Sequence, residues 1–313
     1  MGRRSKRNDS GISGLLLINK DAGMTSHDVV SKVRWLAGTR RVGHTGTLDP
    51  DATGLLPITL GHCTKLANFL ILDEKVYEFE LELGSETTTD DSSGEVIRTG
   101  SAEHVTREML EQALDAYRGP IMQRPPKYSA IRIDGKRAHE LARAGVEFEI
   151  PARPVEVKSL ELLSFDAPRA QLKMRCSSGT YVRSVVRDLG QDLGSFAHTT
   201  RIHRVQVGSF LCDNAVTLEE LEQRKEQEES FPLDVLMTPA QMVASLPAFT
   251  LTTQQLEKIS MGQSVLVSFD EDDVPMGFVA LLNGDEELVG IGIAKDKKAD
   301  KLLVSPKKVF IAK

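Results

Sequence analysis

The sequence predicts an α+β fold: a mixed, largely antiparallel sheet flanked by helices, followed by a small β-rich region at the C-terminus. Three observations carry that expectation. Strand-like and helix-like segments are interleaved, but without the regular βαβ alternation of a parallel sheet. Several segments alternate apolar and polar residues with period two, as strands with one covered face do. After a boundary near Ala240–Pro247, short runs of Val, Leu, Ile and Phe are separated by DEDD, NGDEE and KDKKADK, the spacing of a small barrel or sandwich.

Residues 1–13 are polar and basic and are expected to be disordered. GLLLINK, Gly14–Lys20, reads as a buried strand. MTSHDVVSKVRWLAG reads as a helix: Thr25 and Asp28 have capping-box spacing, Val29, Val30, Val33 and Leu36 share a face, and Gly38 can end it. GHTGTLDPDATGLLPI, Gly43–Ile58, reads as a loop from its glycines, threonines and prolines, and LGHCTKLANFLI as a short helix. KVYEFELELG puts Tyr77, Phe79, Leu81 and Leu83 on one strand face and Glu78, Glu80 and Glu82 on the other. SETTTDDSSGEV is read as a polar loop. VTREMLEQALDAYRGP is a helix capped by Thr106 and stopped at Gly119-Pro120. RPPKYSAIRIDGKRAHELARAG is a basic, insertion-like segment ending in a short helix. VEVKSLELLSF and AQLKMRCSSG look like paired strands, TYVRSVVRDLG like a helix ended by Gly190, and RIHRVQVGSF like another strand. An acidic helix near Leu218–Glu229 precedes the boundary. The expected division is therefore 1–13, a main domain over 14–240 and a C-terminal domain over 246–313.

The 40% apolar and 27% charged content is that of an ordinary water-soluble globular chain. No apolar run approaches the ~20 residues of a membrane span, and no signal peptide is read after the basic start. Cys63, Cys176 and Cys212 are odd in number and widely spaced, which suits reduced core thiols in cytoplasm rather than a disulfide frame or a metal site. GxxxxGK[ST] and GxGxxG are both missing, which argues against an NTPase or a dinucleotide enzyme. Neither a metal nor a cofactor is expected.

The net charge is −6, yet the cations are segregated. Met1–Arg41 has nine Lys/Arg against three Asp/Glu, Arg118–Gly145 seven against two, and Leu172–Arg204 six against two. Basic segments on an acidic chain fit an anionic ligand held on one face.

Within Gly43–Ile58, Asp49 precedes a proline, which biases its backbone toward an extended conformation. Leu48, Leu55, Leu56 and Ile58 would pack the loop onto a core. Such a loop can hold one carboxylate in fixed orientation against a flat ligand, although LDP on its own reads more readily as a surface turn.

This stretch closely resembles the catalytic motif of the TruB family, the bacterial tRNA pseudouridine-55 synthases, approximately G-H-x-G-x-L-D-P-x-A-x-G-x-L-P. GLLLINKDAGMTSHDVV is similar to that family's N-terminal K-P-x-G-x-T-S segment and KVYEFELELG to the strand carrying its active-site tyrosine. PPKYSAIRIDGKRAHELARAG resembles its P-x-x-Y-S-A segment, and CSSGTYVRSVVRDLG its C-S-x-G-T-Y-x-R motif. Three positions depart from the pattern: Asp21 stands for the proline, Thr88 for the acid of T-D-T, and His139 for a tyrosine.

The resemblance implies a pseudouridine synthase catalytic fold and a PUA-like, RNA-binding C-terminal domain. It implies an isomerase that converts uridine-55 of the tRNA T loop to its C-glycoside, with the base flipped out of the RNA. Asp49 is then the nucleophile, attacking C6 of the base or C1′ of the sugar. Arg183 pairs with it and keeps it ionised. Tyr77 contacts the base, Tyr181 lines the pocket, and Ile202 packs on the uracil. His44 fills the space the base leaves, and Lys20, grouped with the substrate-binding residues, is structural or near the pocket. Arg187 is read as the solvated arginine of its helix. The segment Arg118–Gly145 is expected to grip the T arm. A cytoplasmic monomer acting without membrane or guide RNA is expected. The rivals are a guide-RNA-dependent synthase, disfavoured by the undecorated N-terminus and acidic C-terminal domain, and a non-catalytic RNA-binding protein. The intact set Asp49, Tyr77, Tyr181 and Arg183 speaks against the second rival.

Overall fold

The computed structural model describes residues 10–71, 74–269, 276–298 and 301–310. Residues 1–9 of the N-terminus expected to be disordered lie outside the described residues, as does the DEDD run.

The main body is a ten-stranded sheet. Its path runs Leu236–Met237, Gly14–Lys20, Thr53–Leu60, Ala197–Val207, Lys75–Leu83, Arg169–Cys176, Arg153–Asp166 and Gly119–Gln123. Val42–His44 pairs with Thr53–Leu60, and Phe210–Leu211 with Ala197–Val207. Thr53–Leu60 and Ala197–Val207 run parallel, whereas the other described pairings in this sheet are antiparallel. The mixed, largely antiparallel sheet is the one expected.

Gly14–Lys20 is covered on both faces, so its apolar residues need not alternate. Leu16 and Ile18 share a core with Val29, Val30, Val33 and Leu36 of the helix Ser26–Ala37. Leu15 and Leu17 face the other way, against Met242, Val243, Ala280, Leu288 and Ile291. The capping box at Thr25 and Asp28 is present, and Gly38 ends the helix in the left-handed region. Along Lys75–Leu83 the period-two pattern holds: Tyr77, Phe79, Leu81 and Leu83 are buried in the core that also takes Val185, Val186 and Leu189 of the helix Val182–Asp192. On the opposite face Glu78 pairs with Lys173 and Glu82 with Arg169 across to the neighbouring strand. A second, five-stranded sheet runs Ala248–Thr250, Gly277–Leu282, Leu288–Lys298, Lys301–Val309 and Val265–Ser268. Among the described residues no helix is long and apolar enough to cross a membrane.

Three sequence readings change. Gly43–Ile58 is not one loop: Val42–His44 and Thr53–Leu60 are strands, and residues 45–52 form the turn between them. The glycine in TGLLPITL disguised a strand that is buried almost throughout. Gly54 takes φ +97 where this strand crosses against Arg204, and a Cβ there would overlap the Arg204 backbone. SETTTDDSSGEV contains half of a small hairpin, Ser85–Thr87 paired with Val96–Thr99. The helix read as ending at Gly190 continues to Asp192. Gly190 serves a close approach instead: its carbonyl accepts the Ser195 and Phe196 N–H groups at 3.1 and 2.9 Å, and a Cβ would overlap the Ala197 backbone nitrogen.

Gly190→Ala is therefore expected to destabilise the protein by about 2 kcal/mol through overpacking, although alanine is the better helix former. Urea unfolding checks this; an unshifted midpoint would contradict the close approach.

Candidate active site

The turn 45–52 meets four other parts of the chain around a cavity of about 250 Å³. The strand Lys75–Leu83 contributes Lys75 and Tyr77, and Ala197–Val207 contributes Ile202 and Arg204. The turn into the helix Val182–Asp192 contributes Tyr181 and Arg183, and the basic segment contributes Ser129 and Ala130. Asp49 is the only carboxylate on this wall among the described residues.

Both flanks of Asp49 are fixed by residues from the N-terminal strand and helix. Ser26 Oγ accepts the Leu48 N–H and donates to the Leu48 carbonyl, both at 2.9 Å. On the other flank the Lys20 ammonium donates to the carbonyls of Pro50, Asp21 and Met24, each at 2.8 Å. The Lys20 side chain has no accessible surface, and it sits beneath the turn rather than on the cavity wall. Burial lowers its pKa to about 8, against the opposing pull of Asp51, Asp21 and Asp49.

Arg183 comes from the first turn of its helix, with 4% of its side chain exposed. One guanidinium nitrogen donates to Asp49 Oδ2 at 2.8 Å and to the Tyr128 carbonyl at 3.0 Å. The other donates to the Thr89 carbonyl at 2.7 Å and reaches Asp91 Oδ2 at 3.3 Å. Asp49 keeps 39% of its side-chain surface, opening into the cavity. Removal from bulk water pushes its carboxyl above the ordinary range; Arg183 opposes this, and Asp91 adds to it.

Arg204 is 1% exposed and donates to the carbonyls of Leu55 at 2.8 Å and Gly46 at 3.1 Å. Burial raises the pKa of the Tyr77 hydroxyl, against the opposing pull of Arg204, so the phenol is neutral near pH 7. Tyr181 is held through its backbone: its N–H donates to Gln123 Oε1 at 2.8 Å, and Gln123 Nε2 donates back to its carbonyl at 3.0 Å. The Arg153 guanidinium stands over the Tyr181 ring, 5.4 Å from its centroid. His44 lies just outside the lining. Its Nδ1 accepts the Gly46 N–H at 3.3 Å, and burial, then Arg204, lowers its pKa, leaving a neutral imidazole.

The structure thus brings Asp49, Arg183, Tyr77, Tyr181 and Ile202 to one cavity, with His44 at its edge and Lys20 below. Arg187 departs from the sequence reading. It is 13% exposed, pairs with Asp90 at 3.0 Å and Asp188 at 2.8 Å, and donates to the Arg124 carbonyl at 3.0 Å. The fold turns it inward because α-helical spacing places residues 183 and 187 on one face. Sequence reasoning also passed over Asp91, Lys75 and Arg204. Their signals were two adjacent acids in TTTDDSS and cations at inward-facing strand positions, Lys75 in step with Tyr77 and Arg204 in step with Ile202. No group of three or more His, Cys, Asp or Glu that could hold a metal ion occurs among the described residues.

Two outcomes follow from these contacts. Lys20→Met leaves three carbonyls unpaired and is expected to cost about 2 kcal/mol, read as a lower melting temperature. Burial raises the Asp90 carboxyl to about 6, against Arg187 and Arg183. The unfolded chain releases this proton at lower pH, so between the two values the folded state holds the extra proton. Asp90 therefore adds stability as pH falls through 6, and that contribution disappears as pH rises. Asp90→Asn is expected to remove this component from melting temperatures measured between pH 4 and 7; identical profiles would contradict it.

The comparisons agree with this geometry. Residues 34–182 match the model of the TruB family pseudouridylate synthase N-terminal domain, and residues 183–244 that of the tRNA pseudouridylate synthase B C-terminal domain. The chain is 42% identical over 275 residues to tRNA pseudouridine synthase B of Aeromonas salmonicida, covering 86% of each protein. It is 43% identical over 258 residues to that of Corynebacterium diphtheriae, covering 80% of this chain and 84% of that protein. A solved H/ACA ribonucleoprotein bound to a substrate RNA containing 2′-deoxyuridine shares the fold, with a TM-score of 0.73 at 21% identity over 96% of this chain and 85% of that one. The chain belongs to the TruB family of pseudouridylate synthases.

Proposed function

We propose that this chain isomerises uridine-55 in the T loop of tRNA to pseudouridine, with Asp49 as nucleophile and the target base flipped into the cavity around it. The observation that carries the reading is the sole carboxylate of the cavity wall among the described residues, held by a buried arginine. The reaction breaks the C1′–N1 bond and joins C1′ to C5; C5 loses its proton, and N1 gains one. A carboxylate can add to C6 or to C1′ and leave again, so Asp49 suits either route. Arg183 orients it. The Tyr77 phenol, neutral through its burial, faces the base as a proton-carrying group. Tyr181 and Ile202 supply flat and aliphatic surface for the uracil, and His44 occupies the place it vacates in the RNA. Lys20 acts from below by holding the turn.

Turning a base out of folded RNA costs a few kcal/mol, offset by phosphate contacts. The exposed cations Arg124, Lys127, Arg132, Lys136, Arg137 and Arg143 are the proposed grip on the T arm. Arg183, Ser184 and Arg187 tie the base of their segment to the catalytic helix. Residues 14–240 would form the catalytic domain, and 246–313 a PUA-like domain adding RNA contacts. No guide RNA is required in this reading, since the chain itself carries both grip and pocket.

Tritium release from a tRNA transcript labelled at C5 of its uridines, with purified protein and no guide RNA, tests the proposal. Wild type is expected to release tritium. Asp49→Asn should lose turnover by at least about a thousandfold while still binding tRNA, and equal release by both proteins would overturn the assignment.

A further inference from the structure

The basic segment leaves the main sheet after Gln123 and rejoins it at Arg153, and these two residues sit opposite each other in the antiparallel ladder. Both reach Tyr181. Gln123 holds its backbone through a pair of hydrogen bonds. Arg153 serves the side chain: its guanidinium carbon lies 5.4 Å from the ring centroid, over the ring. Its Nη2 also donates to the Gly179 carbonyl at 2.6 Å. Further along the same strand, the Glu156 N–H donates to Ser177 Oγ at 3.0 Å, and the Glu156 carbonyl accepts the Ser177 N–H at 2.8 Å. The start of one strand thus fastens the turn 177–181 at both ends.

Ser178, Gly179, Thr180 and Tyr181 line the cavity around Asp49, whereas Arg153 does not. Tyr181 is half-buried, and its hydroxyl has no hydrogen-bond partner among the described residues. A fixed backbone alone leaves the side-chain torsions of such a ring free to change. A cation over the ring is attracted by its quadrupole and restrains it. Arginine suits the place, because a planar guanidinium can stack on a ring and donate to a neighbouring carbonyl. An ammonium, compact and more strongly hydrated, fits both contacts less well.

We propose that Arg153 is a positioning residue for the reaction: laid over the Tyr181 ring and tied to the Gly179 carbonyl, it holds that ring as the surface on which the flipped uracil packs. This rests on the pseudouridine synthase reading above. Arg153 acts through Tyr181, so its loss should slow the chemical step and leave tRNA binding as it was.

The test uses Arg153→Met and Arg153→Lys in the full chain. Single-turnover tritium release, tRNA affinity at two salt concentrations and the spectrum of 3-fluorotyrosine-labelled protein are measured. The chain has four tyrosines, Tyr77, Tyr117, Tyr128 and Tyr181, and Tyr181→Phe identifies the Tyr181 resonance. Arg153→Met should slow release about fivefold, with affinity and its salt dependence unchanged and the Tyr181 resonance displaced while the other three stay. Arg153→Lys keeps the charge and should be slowed nearly as much. An unchanged rate in Arg153→Met or an unmoved Tyr181 resonance would overturn the proposal. So would displacement of all four resonances, which marks a general structural role. A loss of affinity with a shallower salt dependence, restored by Arg153→Lys, would make Arg153 a phosphate contact instead. If wild type itself releases no tritium from any tRNA, the function reading fails first, while the resonances still report whether Arg153 holds the ring.

Discussion

The site depends on one buried guanidinium. Arg183 is almost wholly removed from water, and a charge so placed needs protein partners. The chain supplies them from three separate segments: Asp49 from the turn, Thr89 and Asp91 from the hairpin region, and Tyr128 from the basic segment. Satisfying that charge therefore locks three otherwise independent stretches onto the first turn of one helix. It also sets the state of Asp49, whose burial favours the neutral acid while the neighbouring cation favours the carboxylate.

Two further buried cations stiffen the turn without competing with that pair. Lys20 and Arg204 bind backbone carbonyls on either side of Asp49, at Pro50 and Gly46. Carbonyl partners bring no second carboxylate to the cavity wall, so the wall keeps one acid and several cations and hydroxyls. A polyanionic ligand meets a surface of matching sign, and the acid that remains is already paired.

The same economy explains what is rigid and what is not. The strand after the turn, Thr53–Leu60, is fixed by the core on both faces, and the base of the basic segment is fixed by Arg183, Ser184 and Arg187. Beyond that base, the short hairpin Arg132–Ile133 with Lys136–Arg137 is exposed along nearly all its length. The chain thus anchors the chemical groups and leaves the charged surface outside in solvent, where a large ligand can reach it.

The sequence by itself determined the fold class, the covered faces of its strands and first helix, and the identity of Asp49 with most of its neighbours. Period-two and helical spacing are local, so they survive without coordinates, and the blocks of resemblance are contiguous stretches of chain. Only the tertiary structure decided that LLPI is a strand and not loop packing, that Gly190 lies inside a helix, and that Arg187 is paired and not solvated. It alone showed which carbonyls Lys20 holds, and that it does so from below the turn. Each of these depends on groups far apart in sequence, such as Gly54 against Arg204 or Asp90 against Arg187. A charged side chain has the same letters whether it is solvated or buried, and only the segment folded against it settles which.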